Sequence, residues 1–574
     1  MIETDKKGCR ELLMRRMTLA VITSVLLQLF LVCCLVLLTN ASTDFARWFD
    51  ETWSTVMSPR MWVYFIVLAM VTVLQGFLCS KSYLHPPPYY KSRFVKLCMT
   101  LMIQSLLLRA LYIVIGGILV WLHLSLKRGS YSSTADCSVI RGTCTMEEYY
   151  FLLFSGLWSG LYFSIKTGDS ARKYFRFPII AQSKFFQLRQ RIYTMFPTLI
   201  ISSMWSTLYY MAVYYFMGSY YREALLSMIS MQVEVKPLDT VAKLLNLSLI
   251  LQLWLHQFIF ILIISSTHTI FEIYLTEWAP FKFGLSGAYT PDSSEMTLID
   301  VLSMDKIPIM QHLGYLDLVT LAQKEKMRRG TLFTLSQPGG HPYNWNCVVQ
   351  KCTDLLKKFS SDLNAISAKS QDQTTCYSTL TARLPPGQQS QYMYHMRKLV
   401  PDVAPTLIAE ADAREAPYSG SFIQKFLKQK KEAVVTYLFS KPLISYIFGE
   451  QDDNKIRYAL HNGQMVIWAA EAISSLTVFS LSEDSYGIVQ KDVPIIINTL
   501  LSVKQALDKL QKSAVLARKM QADDKLIREV FTSLRSAIKR SLYRIVTNFE
   551  SYIKDLSLEP STLEQLHGFL YYKE

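Results

Sequence analysis

Signatures of enzyme chemistry are missing from this sequence. It has no G-x-x-x-x-G-K-[ST] loop, no G-x-G-x-x-G, no H-E-x-x-H and no G-x-S-x-G. Nothing therefore points to nucleotide, dinucleotide, zinc-hydrolase or serine-hydrolase catalysis. Close ligand pairs of the C-x2-C kind are also lacking. His341, Cys347 and Cys352 lie near one another, but tetrahedral zinc needs a fourth ligand that is not visible. No metal and no cofactor is expected.

Charge is scarce as well, at 18% of residues against 51% hydrophobic. The scarcity is uneven: nearly all the long charge-poor stretches precede Tyr274, and the remainder reads as ordinary soluble sequence. A length of 574 residues exceeds one usual core and implies at least two folding units. The net charge of +15 raises the question of nucleic acid. Residues 1–274 hold 25 Lys/Arg against 14 Asp/Glu, whereas residues 275–574 hold 35 against 31. A nucleic-acid domain concentrates cations on a soluble face. Here the excess sits in short loops between apolar stretches, which is a signature of membrane topology, so no direct nucleic-acid partner is expected.

What is there is a set of six apolar segments, at about 17–38, 61–79, 101–124, 149–165, 192–217 and 244–274. A helix needs about 20 apolar residues to cross the hydrocarbon core. The fourth segment is the shortest, but Gly156 and Gly160 give it the small-xxx-small spacing of close helix contact in lipid. The first follows Lys6, Lys7, Arg10, Arg15 and Arg16, as a signal peptide would. Its run is too long for a signal h-region and lacks a clear small-residue cleavage site, so it reads as an uncleaved helix.

Orientation follows from the Lys/Arg of alternate loops. The N-terminal tail (1–16) and the loops after spans two and four carry 16, and the other three loops carry 8. Both termini are expected on the cytosolic side. The lumenal loops then hold Cys137 and Cys144, which an oxidising lumen would allow either to pair or to remain as thiols.

Two ionisable residues fall well inside spans, Arg109 and His256. In a transporter or channel such groups are the ion or substrate contacts. Arg109 can instead snorkel toward the headgroups, and His256, beside Gln252 and Gln257, can hydrogen-bond between helices. The spans also lack the paired Gly/Pro-broken segments of inverted-repeat transporters.

After Tyr274 the periodicity is mainly helical, most clearly over 465–479, 494–510 and 524–549. The expected architecture is a membrane all-α protein: a six-helix transmembrane bundle (17–274), a membrane-proximal segment (275–359), a flexible linker (360–420) rich in Ser, Gln, Thr and Pro, and a helical cytosolic C-terminal domain (421–574). Phe422, Ile423, Phe426 and Leu427 alternate with Lys425 and Lys428, which suits either a membrane-surface helix or an ordinary domain helix. A turn cluster, Ser336-Gln337-Pro338-Gly339-Gly340-His341-Pro342 with Trp345, reads as a structural turn anchored by aromatics.

That cluster also carries a family resemblance. It is joined by Phe177-Pro178-Ile179-Ile180, by Pro237-Leu238-Asp239-Thr240-Val241, by Gln464-Met465-Val466-Ile467-Trp468-Ala469, by Glu483-Asp484-Ser485-Tyr486-Gly487-Ile488-Val489-Gln490 and by Ile497-Asn498-Thr499-Leu500-Leu501, in order along nearly the whole chain. The sequence resembles the nuclear division cycle transmembrane nucleoporins, six-span components of the nuclear pore complex. The resemblance implies a non-enzymatic anchor in the nuclear pore membrane that supports pore assembly and protein and mRNA transport. Its implied partners are the lipid bilayer and soluble scaffold nucleoporins, among them the WD-repeat protein ALADIN and inner-ring linker nucleoporins, with no small-molecule substrate. One departure is the Ser/Pro-rich insert between the two soluble segments, often long in that family and short here.

Overall fold

The computed structural model describes residues 5–39, 44–84, 89–126, 147–167, 177, 183–229, 244–283, 296–335, 340–381, 441–449, 452–512, 525–553 and 555–570. Among them the regular structure is helical, with an isolated bridge between Lys282 and Thr297.

Among the described residues the first half contributes α1 (Asp5–Thr39), α2 (Phe45–Met57), α3 (Pro59–Leu84), α4 (Arg93–Leu101), α5 (Ile103–Leu126), α6 (Glu147–Thr167), α7 (Lys184–Ile229) and α8 (Leu247–Leu275). Long charge-poor stretches make the long ones, and Pro59 sits at a helix start, where its missing N–H costs nothing. Cys137 and Cys144 lie outside the described residues.

The bundle is packed inside-out relative to a water-soluble protein. Large apolar side chains such as Phe30, Ile66, Phe77, Leu107 and Phe216 are exposed, while Ser24, Gln28, Thr72, Ser155, Ser159 and Ser206 are buried. Lipid tails are as apolar as leucine, so helices there associate through close van der Waals packing and hydrogen bonds rather than apolar burial. The α5–α6 pair shows the first device. A Cβ on Gly116 would lie 2.2 Å from the Gly156 carbonyl oxygen, and one on Gly160 would lie 2.2 Å from that of Tyr112. Only glycine lets these two backbones touch.

The second half contributes α9 (Leu298–Leu302), α10 (Pro308–Lys324), α11 (Lys326–Gly330), a 3-10 turn (Thr331–Phe333), α12 (Tyr343–Thr381), α13 (Pro442–Phe448), α14 (Asp452–His461), α15 (Gly463–Glu483), α16 (Val493–Lys512), α17 (Lys525–Asn548) and α18 (Pro560–Leu570). Helix α15 is the hub, with α10, α12, α16 and α17 against it. Their buried Leu, Ile and Val residues form one core.

Among the described residues, five helical stretches are long and apolar enough to cross a membrane by length and composition: Gly8–Leu37, Pro59–Ser80, Ile103–Ser125, Leu247–Leu275 and Asn454–Glu483. The last stands apart, with 67% of its apolar window buried inside the protein against 28–44% for the other four. Its hydrophobicity is accounted for by the helices around it. Helices α6 and α7, read from the sequence as spans four and five, pack on α5 and α8 but fall short of that criterion.

Three boundaries differ from the sequence reading. Residues 5–16 are the first turns of α1 rather than a separate tail, because Cys9 and Leu13 are buried in the C-terminal core. Residues 360–381 belong to α12 rather than to a flexible linker. Leu363 is fully buried, and the Ser360 hydroxyl donates to the Ser502 carbonyl at 3.4 Å, so packing overrides a polar composition. The segments 275–359 and 421–574 are not separate units either, since α10 and α12 share the α15 core.

Candidate functional site

The polar groups inside the bundle sew helices together. Gln257 on α8 donates from Nε2 to the Ser155 carbonyl at 2.7 Å and accepts from the Ser206 hydroxyl at 2.8 Å. One side chain thus ties three helices. The Trp254 indole donates to Ser203 Oγ at 3.0 Å, and Gln28 on α1 donates to Ser266 Oγ at 2.9 Å and to the Ile263 carbonyl at 3.2 Å. His256 packs edge-on against His123 with ring centroids 4.8 Å apart.

Arg109 does not join His256. It is half-exposed on the second turn of α5, whereas the His123 that touches His256 is 14 positions further along the same helix. At 1.5 Å rise per residue that is about 21 Å. The two residues a transporter would need together are at different depths. A cavity of about 250 Å³ within the bundle is walled by apolar and aromatic groups, including Leu157, Trp158, Leu161 and Tyr214. Among the described residues no cluster of three or more His, Cys, Asp or Glu could hold a metal.

The joint between the bundle and the C-terminal body is built far more elaborately. Helix α8 ends at Leu275, whose carbonyl accepts from Arg16 on α1 at 3.2 Å. Arg191 on α7 pairs with Glu272 at 2.7 Å, and Lys184 with Glu277 at 2.9 Å. Beyond α8, fully buried Asp317 on α10 gathers the exit strap. It accepts from the Trp278 indole at 3.1 Å and the Phe281 amide at 3.0 Å, and it binds both terminal nitrogens of Arg328 at 3.1 and 2.7 Å. A buried carboxylate is tolerable only when its acceptor sites are met by donors and a cation.

A second bolt comes from Phe177, which precedes α7 in the chain. Phe177 lies flat on the His312 ring, centroids 5.7 Å apart, and edge-on to Trp468 on α15 at 5.0 Å. His312 is fully enclosed, with Nδ1 2.7 Å from the Pro308 carbonyl, and burial pushes its pKa down to about 4. It is neutral at physiological pH. The next residue after Arg328, Arg329, grips Glu483 at 2.7 and 2.8 Å, and that hydrogen-bonded pairing holds the carboxyl below its ordinary value.

Of the turn cluster, Ser336, Gln337, Pro338 and Gly339 lie outside the described residues, as do Phe422, Ile423, Lys425, Phe426, Leu427 and Lys428. The chain just beyond the turn is firmly seated. Trp345 is fully buried, donates to Asp492 Oδ2 at 2.9 Å and packs on Phe333. The motif at 483–490 is a helix stop: Asp484 accepts from the amides of Tyr486 and Val489, both at 3.0 Å, and Gly487 takes φ 64°, which side chains disfavour.

Two short helices were invisible to the span count. Helix α2 exposes Phe45, Phe49, Trp53 and Met57, and α4 exposes Phe94, Leu97 and Leu101. Their three- and four-residue spacing is the available signal, hidden because each is shorter than a span.

The sequence pattern that defines the nucleoporin protein family Ndc1-Nup matches residues 11–567. Nucleoporin NDC1 of Homo sapiens is 24% identical over 98% of both chains, and Nucleoporin Ndc1 of Drosophila melanogaster is 24% identical over 99% of both. Nucleoporin ndc-1 of Caenorhabditis briggsae is 29% identical over 49% of this chain and 45% of its own. The human alignment runs over 664 positions against this chain's 574 residues, so that relative carries inserted residues absent here. With span-length apolar helices in its first half and this match along nearly its whole length, the chain belongs to the Ndc1-Nup nucleoporin family and is an integral membrane nucleoporin of the nuclear envelope.

Proposed function

We propose that this protein is a non-enzymatic anchor of the nuclear pore scaffold. Six spans, α1, α3, α5, α6, α7 and α8, fix it in the pore membrane, with both termini and the helical C-terminal body on the cytosolic, pore-facing side. The observation that carries this reading is the joint: the start of α1 and the end of α8 meet, through Arg16 on the Leu275 carbonyl and through Cys9 and Leu13 in the core that contains Leu275. Two chain points on one side require an even number of crossings between them. Antiparallel contacts support six, with Tyr112 opposite Gly160 across α5–α6 and Ser206 opposite Gln257 across α7–α8. The 16-against-8 cation bias assigns that side to the cytosol.

A body locked to its spans by Asp317, Arg191 and Phe177 transmits load, as an anchor must. Its role is to tether soluble scaffold nucleoporins, with ALADIN and inner-ring linker nucleoporins as the proposed partners, and thereby to support pore assembly. The transporter reading is disfavoured by the separation of Arg109 from His256.

Tagged protein should mark a punctate nuclear rim and co-purify with scaffold nucleoporins, and a tag on Glu574 should be digested in vesicles whose cytoplasmic face points outward. Diffuse reticular staining without such partners, or a protected tag, refutes the proposal.

A further inference from the structure

Helix α4 is amphipathic the wrong way round for water. Phe94, Leu97, Cys98 and Leu101, at i, i+3, i+4 and i+7, make one apolar face, and all four are exposed. Nothing in α4 is buried. Its amino-terminal end carries exposed Lys91 and Arg93, and Ser92 caps it by accepting from the Val95 amide at 3.3 Å. Only Met102, with ψ 143°, separates its last residue from Ile103, the first residue of α5. If α5 crosses the membrane, α4 is held at the plane where hydrocarbon meets headgroups.

The first described helix of the C-terminal chain after residue 440 lies against it. Phe448 on α13 meets Phe94 with centroids 4.7 Å apart, and the Arg93 guanidinium sits 3.5 Å over the Tyr446 ring. Helix α13 repeats the pattern of α4: Leu443, Tyr446 and Ile447, at i, i+3 and i+4, are exposed, Leu443 by 75%. Three residues on, α14 enters the body, with Ile456 and Leu460 buried in its core. On α14, Asn454 donates to the Tyr90 carbonyl at 3.4 Å and Tyr458 packs on Tyr89, so the helix that follows α13 is fixed to the segment leading into α4.

We propose that α4 and α13 form one in-plane element inserted into the cytosolic leaflet, by which the C-terminal body binds the phospholipid bilayer directly, apart from the six spans. The occupant is lipid for two reasons. Exposed apolar residues continue from Leu101 and Met102 into α5 at Ile103 and Leu107, a helix whose exposed apolar groups meet acyl chains when it spans the bilayer. The cations cluster at one end of α4 with the apolar groups beside them, the distribution that places ammonium and guanidinium groups at phosphates and side chains among acyl chains. The proposal rests on α5 being a span, and it adds a membrane grip that the C-terminal half supplies itself.

The full chain, reconstituted in nanodiscs of phosphatidylcholine and phosphatidylserine, tests it with benzoyl-phenylalanine placed singly at Leu443, Ile447 or Leu97, and at Met327 and Tyr486 as exposed controls on the body. Phospholipid adducts should form at the first three positions roughly tenfold above the controls. Adducts no higher than the controls, or adducts to a second copy of the chain instead of lipid, overturn the proposal. The variant carrying Leu443→Asp and Tyr446→Asp should keep the body protease-resistant yet raise deuterium uptake over 442–448 several-fold in nanodiscs, and unchanged uptake in a folded variant also overturns it. Failure of the six-span reading shows separately, as a protected Glu574 tag.

Discussion

The bundle and the C-terminal body are both helical, yet they cohere by opposite means. Along α5 and α6 the contacts are Gly116, Gly156 and Gly160, backbone on backbone, with Gln257 bonding across to Ser155 and Ser206. Around α15 the contacts are Val466, Ile473, Leu476, Ile497, Leu500 and Ile538, large apolar groups with no exposed surface to speak of. Water drives the second kind of packing and lipid cannot drive it, so in the bundle small size and hydrogen bonds stand in for apolar burial. The joint needs both: Phe271 and Leu275 belong to the body's core, while Asp317 and Arg191 form ion pairs with Arg328 and Glu272.

If this contrast is right, truncating an apolar anchor should damage only the body. Trp345→Ala should cost about 4 kcal/mol there, from lost aromatic volume and an abandoned Asp492 carboxylate. Limited proteolysis in detergent should then release body fragments while the bundle stays intact, whereas Trp345→Phe should recover most of the stability.

The converse experiment adds atoms. Gly160→Val forces a Cβ into the Tyr112 backbone and should cost roughly 3 kcal/mol or abolish the α5–α6 crossing. Gly330→Val meets no neighbouring atom at Cβ and serves as the control in a detergent thermal-shift assay. Equal melting shifts for the two variants would break the comparison.

Acid should strike the body through Phe177 and His312. The folded pKa of His312 is about 4 against an ordinary 6.5, so the unfolded chain takes up the proton first. Stability is therefore complete above pH 6.5 and falls as pH drops toward 4, by roughly 2–3 kcal/mol for a group this enclosed. His461, also lowered by burial, acts in the same direction. A variant with His312→Gln and His461→Asn should flatten the slope of melting temperature between pH 6.5 and 4.5. Glu483 resists protonation through the same acid range, because its pairing with Arg329 holds the carboxyl below its ordinary value.

The smallest effect belongs to the bundle's hydrogen bonds. Gln257→Leu should cost only about 1 kcal/mol, because the partners it leaves, a carbonyl and a hydroxyl, find other donors and acceptors within helices. A loss several times larger would mean that polar contacts dominate the membrane half, and the contrast would need redrawing.

Much of this was legible in advance, and the failures have causes. The apolar segments at 17–38, 61–79 and 101–124 fall on α1, α3 and α5, and the periodicities at 465–479, 494–510 and 524–549 fall on α15, α16 and α17. Helices α2 and α4 were missed because a span search discards anything of 13 or 9 residues. The linker boundary at 360 failed because the Ser- and Gln-rich part of α12 is held by Leu363 against the body, a contact composition does not report.

The sequence alone marked the long apolar stretches of the first half, since hydropathy is a property of the chain read in order, but the fold was needed to show that 454–483, apolar enough to cross, is covered by other helices. Only the tertiary structure decided which polar residues matter. Asp317 is an ordinary aspartate in sequence, and Phe177 an ordinary aromatic, until the fold brings α10 under the exit of α8 and α15 against Phe177. Burial and partner geometry depend on residues tens to hundreds of positions away, and no local pattern encodes them.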